Sequence, residues 1–274
     1  MTLPETIEGR SSPAASRRMA ELRRLRVLGV PVVDATMQET LALVEDLIER
    51  PDSHARSICF VNAHTLNVVS RDAEAREALR AADWVFGDGT GVRWAVRHLH
   101  GVRLRDNVNG TDFVPLLLSS FAGRGYRYYL LGGRPEMVAA AAEGARRRFP
   151  EWQLAGHHHG YVGGSLSERV IDDINDKRPD VLLVGMGNPT QEKWIRAHRD
   201  RLCVPLCIGV GGLMAYWSGD LTRAPAWLRR CGFEWIHLML RQPRKLGRYL
   251  FGNPHFLLRV AAARIRRTDV RGGV

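Results

Sequence analysis

The chain is short of several things, and each shortage removes a class of explanation. No run of eighteen charge-free apolar residues occurs in its 274 residues, so no membrane-spanning helix is expected, and the N-terminus lacks the apolar stretch of a signal peptide. The nearest approach, residues 202–217, is broken by Pro205, Gly209, Gly211 and Gly212 and reads as a strand followed by a glycine loop. Cysteine is scarce: Cys59, Cys203, Cys207 and Cys231 form no Cys-x-x-Cys pair and keep no metal-like spacing with histidine, which predicts free thiols in a reducing compartment. Asp-x-Asp is absent, so a carboxylate pair that could hold a divalent metal has no obvious site.

What is present describes a folded core with basic ends. A hydrophobic content of 45% suffices to bury a full core. The net charge of +11 is unevenly placed, because residues 1–26 contribute +3, residues 218–274 contribute +9 and the 191 between them sum to −1. A nearly neutral core with a basic tail points to an anionic surface met by one end, either membrane or nucleic acid. Residues 1–26, rich in Ser, Pro, Ala and Arg without an apolar period, read as a mobile basic arm.

From Val27 onward the chain alternates short apolar runs with helical patterns. The clearest unit is 181–195, VLLVGMGNPTQEKWI. Val181 to Val184 form an unbroken apolar run suited to a parallel strand buried on both faces. Gly185 and Gly187 then permit a tight turn, and Asn188-Pro189-Thr190 supplies helix-start chemistry. Such a turn can present backbone N–H groups to an anion. Further strands are expected at 30–33, 57–61, 84–86, 127–131 and 205–208. Helices are expected from the Thr36–Glu39 capping box, from Asn62 through Leu79, after Gly91, and at 113–121, 135–148, 165–177 and 191–202. This alternation implies a Rossmann-like α/β fold with a doubly wound, mainly parallel sheet. Asn62, Asp88, Gly132, Asn188 and Gly211 each follow a strand, so one sheet edge should collect them.

Asp88, held between Gly87 and Gly89, is the leading catalytic candidate; the alternative role for an aspartate there is a helix N-cap. His157-His158-His159 invites a metal reading, but adjacent histidines cannot converge from regular structure, and a solvated turn is expected. Trp217, Trp227 and Trp235 read first as packing anchors.

Taken together, NAHTLNVV, ADWVFGDGTGV, NVNGTDF, GMGNPTQEKWI, GVGGLMAYWSGDLTRAPAWLRRCGFEWI and QPRKLGRYLFGNPHFL, in this order and spacing, resemble the WecG/TagA/CpsF glycosyltransferases, family 26 of the glycosyltransferases. The resemblance runs from about Leu28 to Leu258. It implies a Rossmann-like catalytic domain at 27–217 and a C-terminal appendage at 218–274 that meets the membrane and completes the site. It also implies inverting transfer of N-acetylmannosamine, its uronic acid or glucose from a UDP-sugar to a polyprenyl-diphosphate-linked glycan in cell-envelope polysaccharide synthesis.

On that resemblance Asp88 is the catalytic base, Asn62 and Gln191 line the substrate pocket, and Arg241, Arg244, Lys245 and Arg248 hold the donor diphosphate. Gly89, Thr90, Asn109, Gly110, Asp112, Gly132, Gly133, Gly187, Asn188, Lys193, Gly211 and Gly212 complete the candidate substrate-binding set. No metal and no cofactor are expected. Two departures concern donor identity: many relatives carry Thr where this chain has Phe60, and Arg where it has Asn107.

Interleaved apolar and basic residues beyond Trp227 fit either an interfacial helix or a solvated helix that packs on the core; with the membrane-embedded acceptor that the resemblance implies, peripheral binding at the cytoplasmic face of the membrane is expected, and a homo-oligomer is compatible with the sequence. Two rival functions are weaker. A nicotinamide-dependent oxidoreductase would need the third fingerprint glycine, absent from GMGNPT, and an acid on the ribose. A nucleic-acid binder would use the basic tail, but no nucleic-acid module is visible, so nucleic acid is not an expected partner.

Overall fold

The computed structural model describes residues 22–225, 228, 247 and 250–271. Eight strands form one sheet: β1 (Arg24–Val27), β2 (Val30–Val33), β3 (Arg56–Val61), β4 (Trp84–Gly87), β5 (Arg127–Gly132), β6 (Gln153–His158), β7 (Val181–Gly185) and β8 (Leu206–Gly209). The spatial order is β1-β2-β4-β3-β8-β7-β5-β6, with β1 and β2 antiparallel and every other pair parallel. The helices are α1 (Met37–Glu49), α2 (Ala63–Val68), α3 (Ala73–Ala81), α4 (Thr90–His100), α5 (Gly110–Ser120), α6 (Pro135–Arg148), α7 (Ser165–Lys177), α8 (Thr190–His198), α9 (Leu213–Trp217) and α10 (Gly252–Arg271).

The doubly wound α/β architecture expected from the alternation is therefore present, and its physical origin is visible strand by strand. All residues of β4, β7 and β8 are buried, as unbroken apolar runs covered on both faces require. Helix α1 starts on the expected capping box: Thr36 Oγ1 accepts the Glu39 N–H at 3.2 Å, and Glu39 Oε2 accepts the Thr36 N–H at 2.8 Å. The central pair β3 and β8 joins the two halves of the sheet, so the carboxyl ends of β3, β4, β7 and β8 open on one crevice.

Four expectations change. Residues 24–26, placed in the mobile arm, belong to β1, where Leu25 and Val27 are buried and Arg24 and Arg26 are exposed. His157 and His158, expected in a solvated turn, lie in β6 and pair with Leu130 and Leu131. The helical sequence after Asn62 is two helices, because Asp72 caps α3 by accepting the Ala75 N–H at 3.0 Å. Helix α8 ends at His198, short of Leu202.

Helix α10, within the appendage expected at 218–274, packs onto the doubly wound domain. Phe256 and Val260 of α10 are buried in the same apolar cluster as Val61, Leu66, Val92 and Val96, wedged against α2 and α4. Trp217 is a packing anchor, buried against Phe149 with ring centroids 5.6 Å apart; Trp227 and Trp235 lie outside the described residues. No helix among the described residues is long and apolar enough to cross a membrane.

Candidate active site

A cavity of about 490 Å³ opens at the carboxyl ends of the central strands. Each strand delivers one part of its wall: Phe60 and Asn62 from β3, Asp88 from β4, Gly187 and Asn188 from the turn after β7, Val210, Gly211 and Gly212 from the loop after β8. Gly110, Thr111, Met137 and Tyr216 close the sides. The candidates Asn62, Asp88, Gly110, Gly187, Asn188, Gln191, Gly211 and Gly212 are thus brought together from five distant stretches of sequence.

Asp88 is half-buried, and its N–H donates to the Val61 carbonyl at 2.8 Å, which locks the β4 end to β3. The N-cap of α4 is Gly89, at φ +87°, and it makes no side-chain cap bond. The N-cap position itself is thus Gly89 and not Asp88. The adjacent Gly89 N–H donates to Asn107 Oδ1 at 3.0 Å, so Asn107, where many relatives have arginine, fastens the 107–113 segment to the Asp88 turn. Asn62 caps α2 with its side-chain oxygen, which accepts the Thr65 N–H at 3.1 Å; what it offers the cavity is its amide NH₂.

Behind the wall lies a polar relay. Gln191 is 1% exposed; its Oε1 accepts the Gly211 N–H at 2.9 Å and its Nε2 donates to Glu192 Oε1 at 2.9 Å. Asn188 Nδ2 donates to the same Glu192 oxygen. Glu192 is 2% exposed, and its second oxygen has no partner among the described residues. Burial therefore pushes its carboxyl up to about 7, against the opposing pull of the bonds from Gln191 and Asn188. Because Gln191 occupies the Gly211 N–H, that glycine holds the loop shape and does not present an N–H to a ligand.

Other candidates sit beside the cavity. Gly89 and Thr90 begin α4 next to Asp88. Asn109 caps α5 by accepting the Asp112 N–H at 3.0 Å, while the Asp112 carboxylate pairs with Arg223. Gly132, at φ +153°, is packed so closely that an added Cβ would lie 2.3 Å from the Gly185 carbonyl oxygen; Gly133 donates its N–H to that same oxygen at 3.2 Å. Lys193 faces α3 and pairs with Asp72 at 2.7 Å and Glu74 at 2.9 Å, away from the cavity. Arg241, Arg244, Lys245 and Arg248 lie outside the described residues. His64, Met137, Met186 and Tyr216 line the cavity and were not singled out from sequence, although His64 and Tyr216 fall inside the NAHTLNVV and GGLMAYW motifs. Among the described residues no three His, Cys, Asp or Glu side chains cluster in a way that could hold a metal.

An N-acetylglucosaminyldiphosphoundecaprenol N-acetyl-beta-D-mannosaminyltransferase of Staphylococcus aureus strain MW2 is 29% identical over 261 residues, covering 94% of this chain and 97% of that protein. The protein of the same name from strain MRSA252 is 28% identical over the same shares. The model of the glycosyl transferase WecG/TagA/CpsF family matches residues 25–270, nearly the whole chain, and the chain therefore belongs to that family of glycosyltransferases.

Proposed function

We propose that the chain moves a sugar from a UDP-sugar to a polyprenyl-diphosphate-linked glycan, with inversion at the anomeric carbon, in cell-surface polysaccharide synthesis. The donor is the N-acetylmannosamine nucleotide or a close variant, its uronic acid or the glucose nucleotide. The observation that carries the reading is Asp88: a carboxylate at a strand end, in a cavity shared with the glycine turns after β7 and β8. The relatives' names supply the acceptor class, an N-acetylglucosaminyl diphosphoundecaprenol.

In this reading the acceptor hydroxyl oxygen bonds to the anomeric carbon on the face opposite UDP while Asp88 takes the hydroxyl proton. The bond from the anomeric carbon to the β-phosphate oxygen breaks, and its electron pair leaves with UDP. Backbone N–H groups of the turn after β7, together with Arg241, Arg244, Lys245 and Arg248, hold the leaving diphosphate. Arginines then supply the charge for which the chain offers no Asp-x-Asp metal site, and the reaction runs without a divalent ion. The basic appendage, residues 218–274, keeps the enzyme on the cytoplasmic membrane face where the acceptor resides.

The test is a panel of UDP-sugars assayed in excess EDTA with a lipid-diphosphate-linked N-acetylglucosamine acceptor. Acceptor-dependent UDP release from one of the named donors supports the reading. No release above donor hydrolysis from any of them contradicts it.

A further inference from the structure

A second cavity lies beside the first and is larger, about 650 Å³. It is a groove between α2 and the start of α10, and the surface of its walls is mostly carbon. His64 lines both cavities, so a single imidazole stands between the groove and the space that Asp88 faces. The groove has a fixed frame: Asn67 Nδ2 donates to the Gly252 carbonyl at 2.7 Å, and Arg259 Nη1 donates to the Leu66 carbonyl at 2.9 Å and to Asn67 Oδ1 at 3.0 Å. Buried Phe256 and Val260 anchor the same helix.

The mouth of the groove is apolar where solvent would favour polarity. Phe251, in its wall, is 76% exposed and Leu250 beside it 52%. Phe251, Leu258 and Ile265 recur every seven residues, so they share one face of the chain's last helical stretch, opposite the buried Phe256 and Val260.

The groove is also positively charged on one side. Arg71 is in the wall, and Arg76 and Arg259 are bonded to the carbonyls of residues 66–70 just before it; burial first, then the like charges of Arg71 and Arg76, lowers the pKa of Arg259. Arg76 and Arg259 bond to the carbonyls at the end of α2 and to Asn67, and none of the three is paired with a carboxylate among the described residues. Asp72, the carboxylate in the described wall, is held by Lys193 at 2.7 Å. Carbon walls, a cation cluster and a shared border with the Asp88 cavity match three parts of one molecule: a prenyl chain, a diphosphate and a sugar hydroxyl.

We propose that this groove seats the acceptor lipid. The first isoprene units lie against Val68 and Phe251, the diphosphate lies at Arg71 and His255, and the sugar passes His64 to reach Asp88. The inference rests on the transferase reading for the identity of the sugar, but prenyl diphosphate binding can be measured without any transfer.

The experiment is calorimetric titration of the full chain with farnesyl diphosphate, without vesicles, alongside titration with UDP. Arg71→Ala removes the exposed cation and Phe251→Ser the exposed ring; each should weaken farnesyl diphosphate binding about tenfold while leaving UDP affinity unchanged. Ile265→Ser, on the same face but far from the groove, should bind it as the wild type does. The proposal is overturned if the wild type does not bind farnesyl diphosphate, if Arg71→Ala and Phe251→Ser bind it normally, or if Ile265→Ser weakens it as much as Phe251→Ser. A chain that binds farnesyl diphosphate through this groove yet transfers no sugar would keep the groove and discard the transferase reading.

Discussion

Gln191 and Gly211 are joined at the sheet-edge cavity: the Gln191 Oε1 accepts the Gly211 N–H at 2.9 Å, fastening the helix after β7 to the loop after β8. Both elements wall the cavity, so its shape depends on one buried amide. Gln191→Leu keeps the length and loses the bond, leaving a part-buried N–H without this partner at a cost of about 1 kcal/mol. We expect a rise in donor KM of about tenfold or more with the fold retained. Unchanged KM would show that the loop holds its shape without the amide.

Glu192 makes a prediction in pH. Burial holds its folded-state pKa at about 7, above the ordinary 4.5, so the folded chain binds this proton more tightly than the unfolded chain does. The associated stability is fully present below 4.5 and is lost as pH rises through 7. Its size is about 3 kcal/mol. Glu192→Gln is neutral at every pH, so its melting temperature should fall less than that of the wild type between pH 5 and pH 8. Parallel melting profiles for the two proteins would show that Glu192 does not titrate in this range.

Phe256 tests whether the C-terminal helix belongs to the core. Its side chain is 1% exposed and sits among Val61, Leu66 and Val92. Phe256→Ala should cost roughly 3–5 kcal/mol in urea denaturation. A cost below about 1 kcal/mol would mean that the helix docks without contributing to stability.

The legible parts of this chain were those where one physical requirement dominates a short stretch. Val181 to Val184 read as a buried strand because an unbroken apolar run has no other short solution, and the Thr36–Glu39 capping box fixed the start of α1. The missed strands are the two edges. In β1, Arg24 and Arg26 alternate with Leu25 and Val27, and that basic outer face disguised an edge strand as part of a charged arm. In β6, Gly156 and the histidines weaken the apolar pattern, and pairing with β5 supplies what local preference lacks. At the site, Asp88, Asn62 and Asn188 could be found because strand ends converge in a doubly wound sheet. Glu192 could not, since a glutamate on a helix reads as solvent-facing until the packing of α8 buries it. The groove beside α2 was hidden for a related reason: residues 64–72 and 251–255 meet only through the tertiary fold.

The central claim is that Asp88 removes the acceptor proton, and turnover of Asp88→Asn measured beside UDP binding tests it most directly. The amide keeps the size of the carboxylate and cannot accept that proton, so kcat should fall by about a hundredfold or more while UDP binds as it does to the wild type. A variant that turns over at close to the wild-type rate would contradict the account and place the base elsewhere.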